Sequence, residues 1–295
     1  DAPVGVGFSY VDDPSALAKT DLQVAMDVTE LIKALVNEVP TLRSSSLHLV
    51  GESYGAKFAA MIGVNVARSI RAGSLNLTLG GVVLGDGWVS PVDFALSYPW
   101  FLQSMSRLDG NAVGTAITMG ITIRQQVAAR QYLAAYKTFA GLMEFIDYRS
   151  GQVNHDNILV SNTIPAGPNN LSDVINSVIK EEFEIIPMNL TWQAASLNVF
   201  EALKRNFMRP SINEVDELLM YGVSVTVYNG QLDLIRSTLG AESWLKKLKW
   251  DGLHKFLSLP RDPLQYCDPL DDLPDAFVQS YRNLHFYWIL GAGHM

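Results

Sequence analysis

The sequence predicts an α/β fold: a parallel sheet assembled from strand–helix crossovers and interrupted by a mostly helical insertion. Three observations predict it. Short β-rich runs alternate with apolar helical stripes at both ends of the chain. Those runs close on glycine-bearing turns at Gly51, Gly85-Asp86-Gly87, Asn229-Gly230 and Gly291-Ala292-Gly293. Between about Ser90 and Arg209 the strand signals nearly vanish. Alternation of this kind implies crossover units, and crossovers imply parallel strands.

The elements follow in order. Thr20 with Gln23 forms a capping box, and Val24, Val28, Leu31, Ile32 and Leu35 fall on one helical face that ends at Pro40. Ser46 to Val50 reads as a buried strand. Ala59, Ile62, Val66 and Ile70 give the next helical stripe, and Gly80 to Leu84 the next strand. The middle is helical, with Asn162 to Ser172 an exposed loop. Ser211 with Glu214 forms a second capping box for a short helix reaching about Met220. Val223 to Tyr228 is a strand, Leu239, Trp244, Leu245 and Leu248 mark a helix, and Leu284 to Leu290 is the last strand. The implied organisation is a core of residues 1–95 and 210–295 around an insertion of residues 96–209.

Composition narrows the function. With 48% hydrophobic and 18% charged residues among 295, the chain can bury a large core. A net charge of −8 argues against a nucleic-acid partner. No apolar run is long enough to span a membrane. The chain begins at Asp1, so the lack of a visible leader carries no meaning. A single cysteine, Cys267, allows no internal disulfide and reads as an incidental thiol.

The chemistry centres on Gly51-Glu52-Ser53-Tyr54-Gly55. A strand, then G-x-S-x-G, then a helix is the context of a nucleophile elbow, and the two glycines suit a turn too tight for a Cβ. A serine hydroxyl needs a base, and the base needs an orienting carboxylate. In α/β-hydrolase folds the chain order is Ser, acid, His. Asp233 follows the run ending at Tyr228, and His294 follows the last strand through a glycine loop. Both sit at strand C-terminal ends, where open α/β sheets build their sites. Asp233 taken alone reads equally well as a helix N-cap, and Asp86 is a rival acid. His48 and His285 lie inside strand runs, His155 in a polar loop and His254 in a charged turn region.

Several blocks resemble the serine carboxypeptidase family. They are Asp1-Ala2-Pro3-Val4-Gly5-Val6-Gly7-Phe8-Ser9-Tyr10, the Gly51–Gly55 block, Tyr228-Asn229-Gly230-Gln231-Leu232-Asp233, and Gly291-Ala292-Gly293-His294-Met295. Gly85-Asp86-Gly87-Trp88-Val89-Ser90-Pro91-Val92-Asp93 is most similar to the family's retinoid-inducible branch and its plant relatives. The resemblance implies an α/β-hydrolase fold with a helical cap and a carboxypeptidase that releases a C-terminal residue from peptides through an acyl-enzyme. It implies Ser53 as nucleophile, His294 as base and Asp233 as its orienter. The Tyr54 backbone N–H would be one oxyanion-hole donor, Glu52 would bind the substrate carboxylate, and Met295 would line the terminal side-chain pocket.

A Glu52–substrate carboxyl pair forms only if one partner is protonated, which implies an acidic working range. Plant relatives that became acyltransferases tend to carry Asp at that position, so Glu52 favours the peptidase. A non-catalytic binding protein is the reading from another class. No cofactor and no metal are implied.

The family's N-G-G-P-G segment, which carries the second oxyanion donor, has no counterpart here. The chain is therefore expected to be an internal fragment lacking the first strands of the sheet. Loss of one oxyanion donor typically costs ~10²–10³ in turnover, so weak activity is expected. Sequons at Asn76, Asn170 and Asn189 are compatible with secretory transit, and the resemblance points to a vacuole, a lysosome or the extracellular space.

Overall fold

The computed structural model describes residues 1–160, 171–183, 186–265 and 273–294. After an irregular N-terminal stretch, α1 (Asp21–Glu38) leads into β1 (Ser46–Glu52), α2 (Tyr54–Arg71) and β2 (Thr78–Gly85). Helices α3 (Pro91–Ser104), α4 (Gly110–Ala128) and α5 (Tyr132–Ser150) follow and pack consecutively. Short pieces come next: α6 (Leu171–Val174), α7 (Lys180–Glu182), α8 (Leu197–Leu203) and α9 (Ile212–Met220). Then come β3 (Ser224–Gly230), α10 (Thr238–Leu245), α11 (Leu253–Ser258), β4 (Asp262–Leu264), β5 (Ala276–Tyr281) and β6 (Leu284–Ile289). Between β2 and β3 the described residues contain no strand.

The strand order is β1-β2-β3-β6-β5-β4. The first four are parallel, β5 runs antiparallel to β6, and β4 runs antiparallel to β5. The parallel strands that the crossovers imply are there, and β5 makes the sheet as a whole mixed. Strand β5 was not legible because its partner β6 follows through Arg282-Asn283, a turn without the glycine that usually marks a two-residue hairpin. Helix α2 lies on β1 and β2, α9 on β3, and α11 on β5. The main core gathers Val82, Leu84, Trp88, Phe94, Val225, Val227 and Phe286 between sheet and helices.

Four local expectations change. Strand β1 is not buried: it is the edge of the sheet, its alternate residues are exposed, and Val50 is 69% exposed. Leu31 and Leu35 leave the buried stripe of α1, whose Val24 and Ala25 are buried. Ser211 precedes α9 without capping it; its hydroxyl turns to the Val89 carbonyl. His254 lies in α11 rather than in a turn. Thr20, by contrast, accepts from the Gln23 N–H at 3.1 Å as a helix cap should.

Candidate active site

Four parallel neighbours, β1, β2, β3 and β6, end side by side. The residue or loop leaving each end carries, in that spatial order, Ser53, Asp86, Asp233 and His294. Backbone hydrogen bonds extend the ladders past the strand ends. Ser53 N–H donates to Gly85 O at 2.9 Å, Asp86 N–H to Tyr228 O at 2.8 Å, and Gln231 N–H to Ile289 O at 2.8 Å. Ser53 and Asp86 are therefore fixed at the strand ends themselves, while Asp233 and His294 ride on the loops that leave β3 and β6.

Ser53 occupies a strained position, φ 56° and ψ −122°, between β1 and α2. Strain of this kind is what the tight strand-to-helix turn imposes on its serine. Gly51 is required here, because a Cβ would drive into the Gly55 backbone, whereas a Cβ on Gly55 meets open space. Only one of the two glycines is thus a steric necessity. Tyr54 begins α2, so its N–H is among the helix N-terminal groups that have no intrahelical acceptor. The Tyr54 hydroxyl donates to Asp21 Oδ1 at 2.8 Å, and Lys57 Nζ lies 2.7 Å from Asp21 Oδ2.

His294 Nδ1 lies 2.7 Å from Asp233 Oδ2, with Asp233 fully buried and His294 nearly so. That contact leaves Nε2 as the ring nitrogen for another partner. Asp233 Oδ1 accepts from the Arg236 backbone N–H at 2.9 Å. The helix N-cap reading of Asp233 does not hold, because α10 is capped by Ser237; Oδ1 closes a turn ahead of that helix and Oδ2 meets the histidine. Gly230 lets this loop meet the histidine loop, since a Cβ there would collide with the Ala292 and Gly293 carbonyls. The His294 N–H donates to Asp156 O at 2.7 Å. Burial works against the imidazolium, but the Asp233 hydrogen bond and charge more than offset it. Arg236 opposes and Asp86 adds, and His294 ends above its ordinary value.

Two groups beside the site go beyond the sequence reading. Arg236 is buried, its guanidinium lies 4.1 Å from the Trp88 ring centre, and its Nη2 donates to Ser53 Oγ at 3.0 Å. Burial lowers its pKa, with Tyr98, Asp233, Asp86 and Asp156 opposing. Its sequence signal was one cation in the apolar run after Asp233. Among the described residues the His294 side chain bonds only to Asp233, so Ser53 Oγ is held by Arg236 and not by the imidazole. Asp86 is 3% exposed and takes a positive φ of 40°.

The polar atoms of Asp86, Asp233 and His294 lie within 4.8 Å of one another, a set of the right chemistry for a divalent cation. His294 Nδ1 is committed to Asp233, and Asp86 Oδ1 already accepts from Gly230 N–H and Asn229 Nδ2. A metal would have to displace those bonds, so the set fits one poorly.

Glu52 is exposed at the end of β1. His48 and His285 lie in β1 and β6, and His155 Nε2 sits 2.6 Å from Asp147; none reaches Ser53. Asn76 and Asn189 are exposed. Met295, Asn170 and Cys267 lie outside the described residues, as does most of the expected loop from Asn162. A cavity of about 350 Å³ opens beside Tyr54 and Gly55, lined by Pro3, Phe58, Val199, Phe200 and Phe207 among others. No helix among the described residues is long and apolar enough to cross a membrane.

Comparison with known proteins settles the family. The family model for serine carboxypeptidase matches residues 1–295. The chain belongs to the serine carboxypeptidase family. It is 39% identical to serine carboxypeptidase-like 51 of Arabidopsis thaliana, over the whole chain and 71% of that protein. It is 37% identical to the retinoid-inducible serine carboxypeptidase of Homo sapiens, over the whole chain and 70% of that protein. The crystal structure of the prohormone-processing carboxypeptidase Kex1Δp of Saccharomyces cerevisiae superposes on it with a TM-score of 0.82. That match has 19% identity and covers the whole chain and 69% of the yeast protein. The mixed sheet flanked by helices is therefore an α/β-hydrolase fold, and this serine carboxypeptidase is a hydrolase of peptide substrates.

Proposed function

We propose that Ser53, His294 and Asp233 are the catalytic triad of this carboxypeptidase. The observation that supports it best is the His294–Asp233 pair, buried at 2.7 Å beside a strained serine in the expected chain order. Ser53 Oγ attacks the last peptide carbonyl and passes its proton to His294 Nε2. The oxyanion is met by the Tyr54 N–H at the start of α2. The C–N bond breaks, and His294 returns the proton to the leaving amino acid. Water, deprotonated by His294, then cleaves the Ser53 ester and frees the shortened peptide. Arg236, the partner of Ser53 Oγ, must release the hydroxyl before attack.

Glu52, at the C-terminal end of β1, pairs in this reading with the substrate's free carboxyl group, and Met295 lines the pocket for the terminal side chain. One member of a carboxyl pair has to be protonated, so peptide turnover favours acidic pH. The apolar cavity beside Tyr54 suits an apolar side chain of the peptide. Residues 96–209 form the helical cap between two core segments, 1–95 and 210–295. Exposed sequons at Asn76 and Asn189 support a glycosylated protein of the secretory route, bound for a vacuole, a lysosome or the cell exterior.

The test is treatment with a fluorophosphonate probe, followed by peptide mapping and by assay of terminal-residue release from an N-blocked dipeptide. Labelling at Ser53, lost in Ser53→Ala together with release, is expected. Release that survives in Ser53→Ala would overturn the assignment.

A further inference from the structure

The triad reading leaves one buried carboxyl without a task. We propose that Asp86 is a positioning residue for the triad: its carboxyl shares one proton with the Asp233 carboxylate, so the pair presents a single negative charge to His294.

The placement is dictated by strand order. Strand β2 lies between β1 and β3, so the residue leaving β2 sits between the nucleophile's strand and the acid's strand. Asp86 and Asp233 are 3% and 0% exposed, and one oxygen of each and a His294 ring nitrogen lie within 4.8 Å of one another. Two carboxylates this close in a dry site do not both stay ionised; the second proton is retained.

The hydrogen bonds show where that proton can sit. Asp86 Oδ1 accepts from Gly230 N–H at 2.9 Å and from Asn229 Nδ2 at 3.1 Å. Asp233 Oδ1 accepts from Arg236 N–H, and its Oδ2 meets His294 Nδ1. Every donor that reaches Asp86 among the described residues lands on Oδ1, which leaves Oδ2 to carry a proton toward Asp233.

The charged and titratable surroundings agree. From the loop after β3 come Asp233 and Arg236, and from β3 itself Tyr228. From the loop after β6 comes His294, from the end of β1 Glu52 acts on Tyr228, and Asp156 and Tyr98 act on Arg236. The only guanidinium in the group is turned to Ser53 Oγ and stacked on Trp88, so it does not clamp the carboxyl pair. Burial first, and the Asp233 charge second, push Asp86 up to about 8, against the Gly230 hydrogen bond and the His294 charge.

The shared proton has two effects. It gives Asp233 a donor that fixes its orientation toward His294. It also caps the negative charge beside the imidazole, which otherwise becomes a stronger base and a poorer proton donor to the leaving group.

The inference rests on the triad reading, and its test reads the pair apart from catalysis. Aspartate labelled with ¹³C at the side-chain carboxyl is followed by NMR from pH 4 to 10 in the wild type and in Asp86→Asn. The amide keeps the acceptor for Gly230 and Asn229 and offers Asp233 a permanent N–H. One carboxyl resonance titrating above pH 7 in the wild type, and absent from the variant, is expected. If every aspartate titrates below pH 6, the proposal is overturned. Thermal unfolding gives a second readout.

The raised group holds its proton in the folded chain and releases it on unfolding, so wild-type stability falls as pH climbs from about 4 toward 8. The Tm difference, Asp86→Asn minus wild type, should therefore rise with pH; a constant difference would mark a merely structural residue. The fluorophosphonate rate at Ser53 should inflect near pH 8 in the wild type and lose that inflection in the variant. Absence of labelling in both proteins would count against the triad reading, while the NMR titration would still decide the carboxyl pair.

Discussion

Replacing Asp21 by alanine tests how the elbow is braced from behind. The Asp21 and Lys57 side chains are each 1% exposed, and Lys57 Nζ stands 2.7 Å from Asp21 Oδ2. Lys57 also donates to the Asn206 carbonyl at 2.7 Å, and the Tyr54 hydroxyl donates to Asp21 Oδ1 at 2.8 Å. Burial lowers the pKa of Lys57, and the Asp21 charge pushes it back. Deleting Asp21 leaves a buried ammonium with no counter-ion and a buried hydroxyl with no acceptor. Breaking a buried pair this way costs about 3–5 kcal/mol. At about 2–4 °C per kcal/mol for a chain of a few hundred residues, Tm should drop by roughly 6–20 °C.

The double variant Asp21→Asn/Lys57→Met removes both charges, keeps an acceptor for Tyr54 and replaces the lysine stem with apolar volume. It should cost less than the sum of the singles, with a coupling of about 2 kcal/mol or more. Wild-type stability should also rise with pH toward the ordinary lysine range, because folded Lys57 surrenders its proton more readily than unfolded lysine, and Lys57→Met should abolish that rise. The assay is urea and thermal unfolding of the wild type, the three single variants and the double variant, with fluorophosphonate labelling as the functional readout. Asp21→Ala should slow labelling more than Asp21→Asn, since only the former unties Tyr54. Singles that each cost under ~0.5 kcal/mol, or that simply add, would refute the argument.

Further outcomes follow from the site. Gly51→Ala should destabilise by about 2 kcal/mol or more, because its Cβ meets the Gly55 backbone, whereas Gly55→Ala should be neutral or gain up to ~1 kcal/mol from helix propensity; thermal melts separate the two. If neutral His294 is the base, the fluorophosphonate rate should climb with pH through a midpoint above the ordinary histidine value of about 6.5, because Asp233 holds its pKa up; a rate flat from pH 5 to 8 would remove His294 from that role. Asp233→Asn should cut turnover by about 10⁴, the size of the loss when a triad acid is neutralised, and a loss under tenfold would shift the orienting role elsewhere. Arg236→Met should move the His294 midpoint further up, since Arg236 opposes the imidazolium, and an unmoved midpoint would show that the two groups do not communicate.

Much of the site was legible because its signals are local. Ser53, Asp233 and His294 each follow a β-rich run through a glycine-bearing turn, and chain order separated them from rivals. Asp86 carried the same local signature and was weighed only as a competing acid. What decides its place is that β2 lies between β1 and β3, a non-local fact absent from residue spacing. Arg236 was missed for a related reason: nothing in Leu232-Asp233-Leu234-Ile235-Arg236 says that its guanidinium folds back over Trp88 to Ser53. The Leu47-His48-Leu49-Val50 run looks buried from hydrophobicity, yet its place at the sheet edge exposes Val50. Strand pattern reports the pleat; sheet position decides the burial.

The proposed triad and the proposed Glu52 contact would make opposite pH demands, and the sheet holds the two groups apart. The base end, His294 with Asp233 and Asp86, gathers at the ends of β2, β3 and β6. A histidine held above its usual value works best as a base when the pH is not too low. Capture of a carboxylate by Glu52 works best when it is. Glu52 is exposed and sits on the outer edge strand β1, with Ser53 and the Arg236 guanidinium on the path toward the histidine. A small fluorophosphonate carries no carboxylate and would read the base alone, whereas on the proposed reading a peptide needs both groups. Peptide release should therefore peak at lower pH than probe labelling in the same protein. Glu52→Gln, which supplies a permanent donor to the substrate carboxylate, should bring the two profiles together. If they already coincide in the wild type, Glu52 does not set the pH preference for peptides.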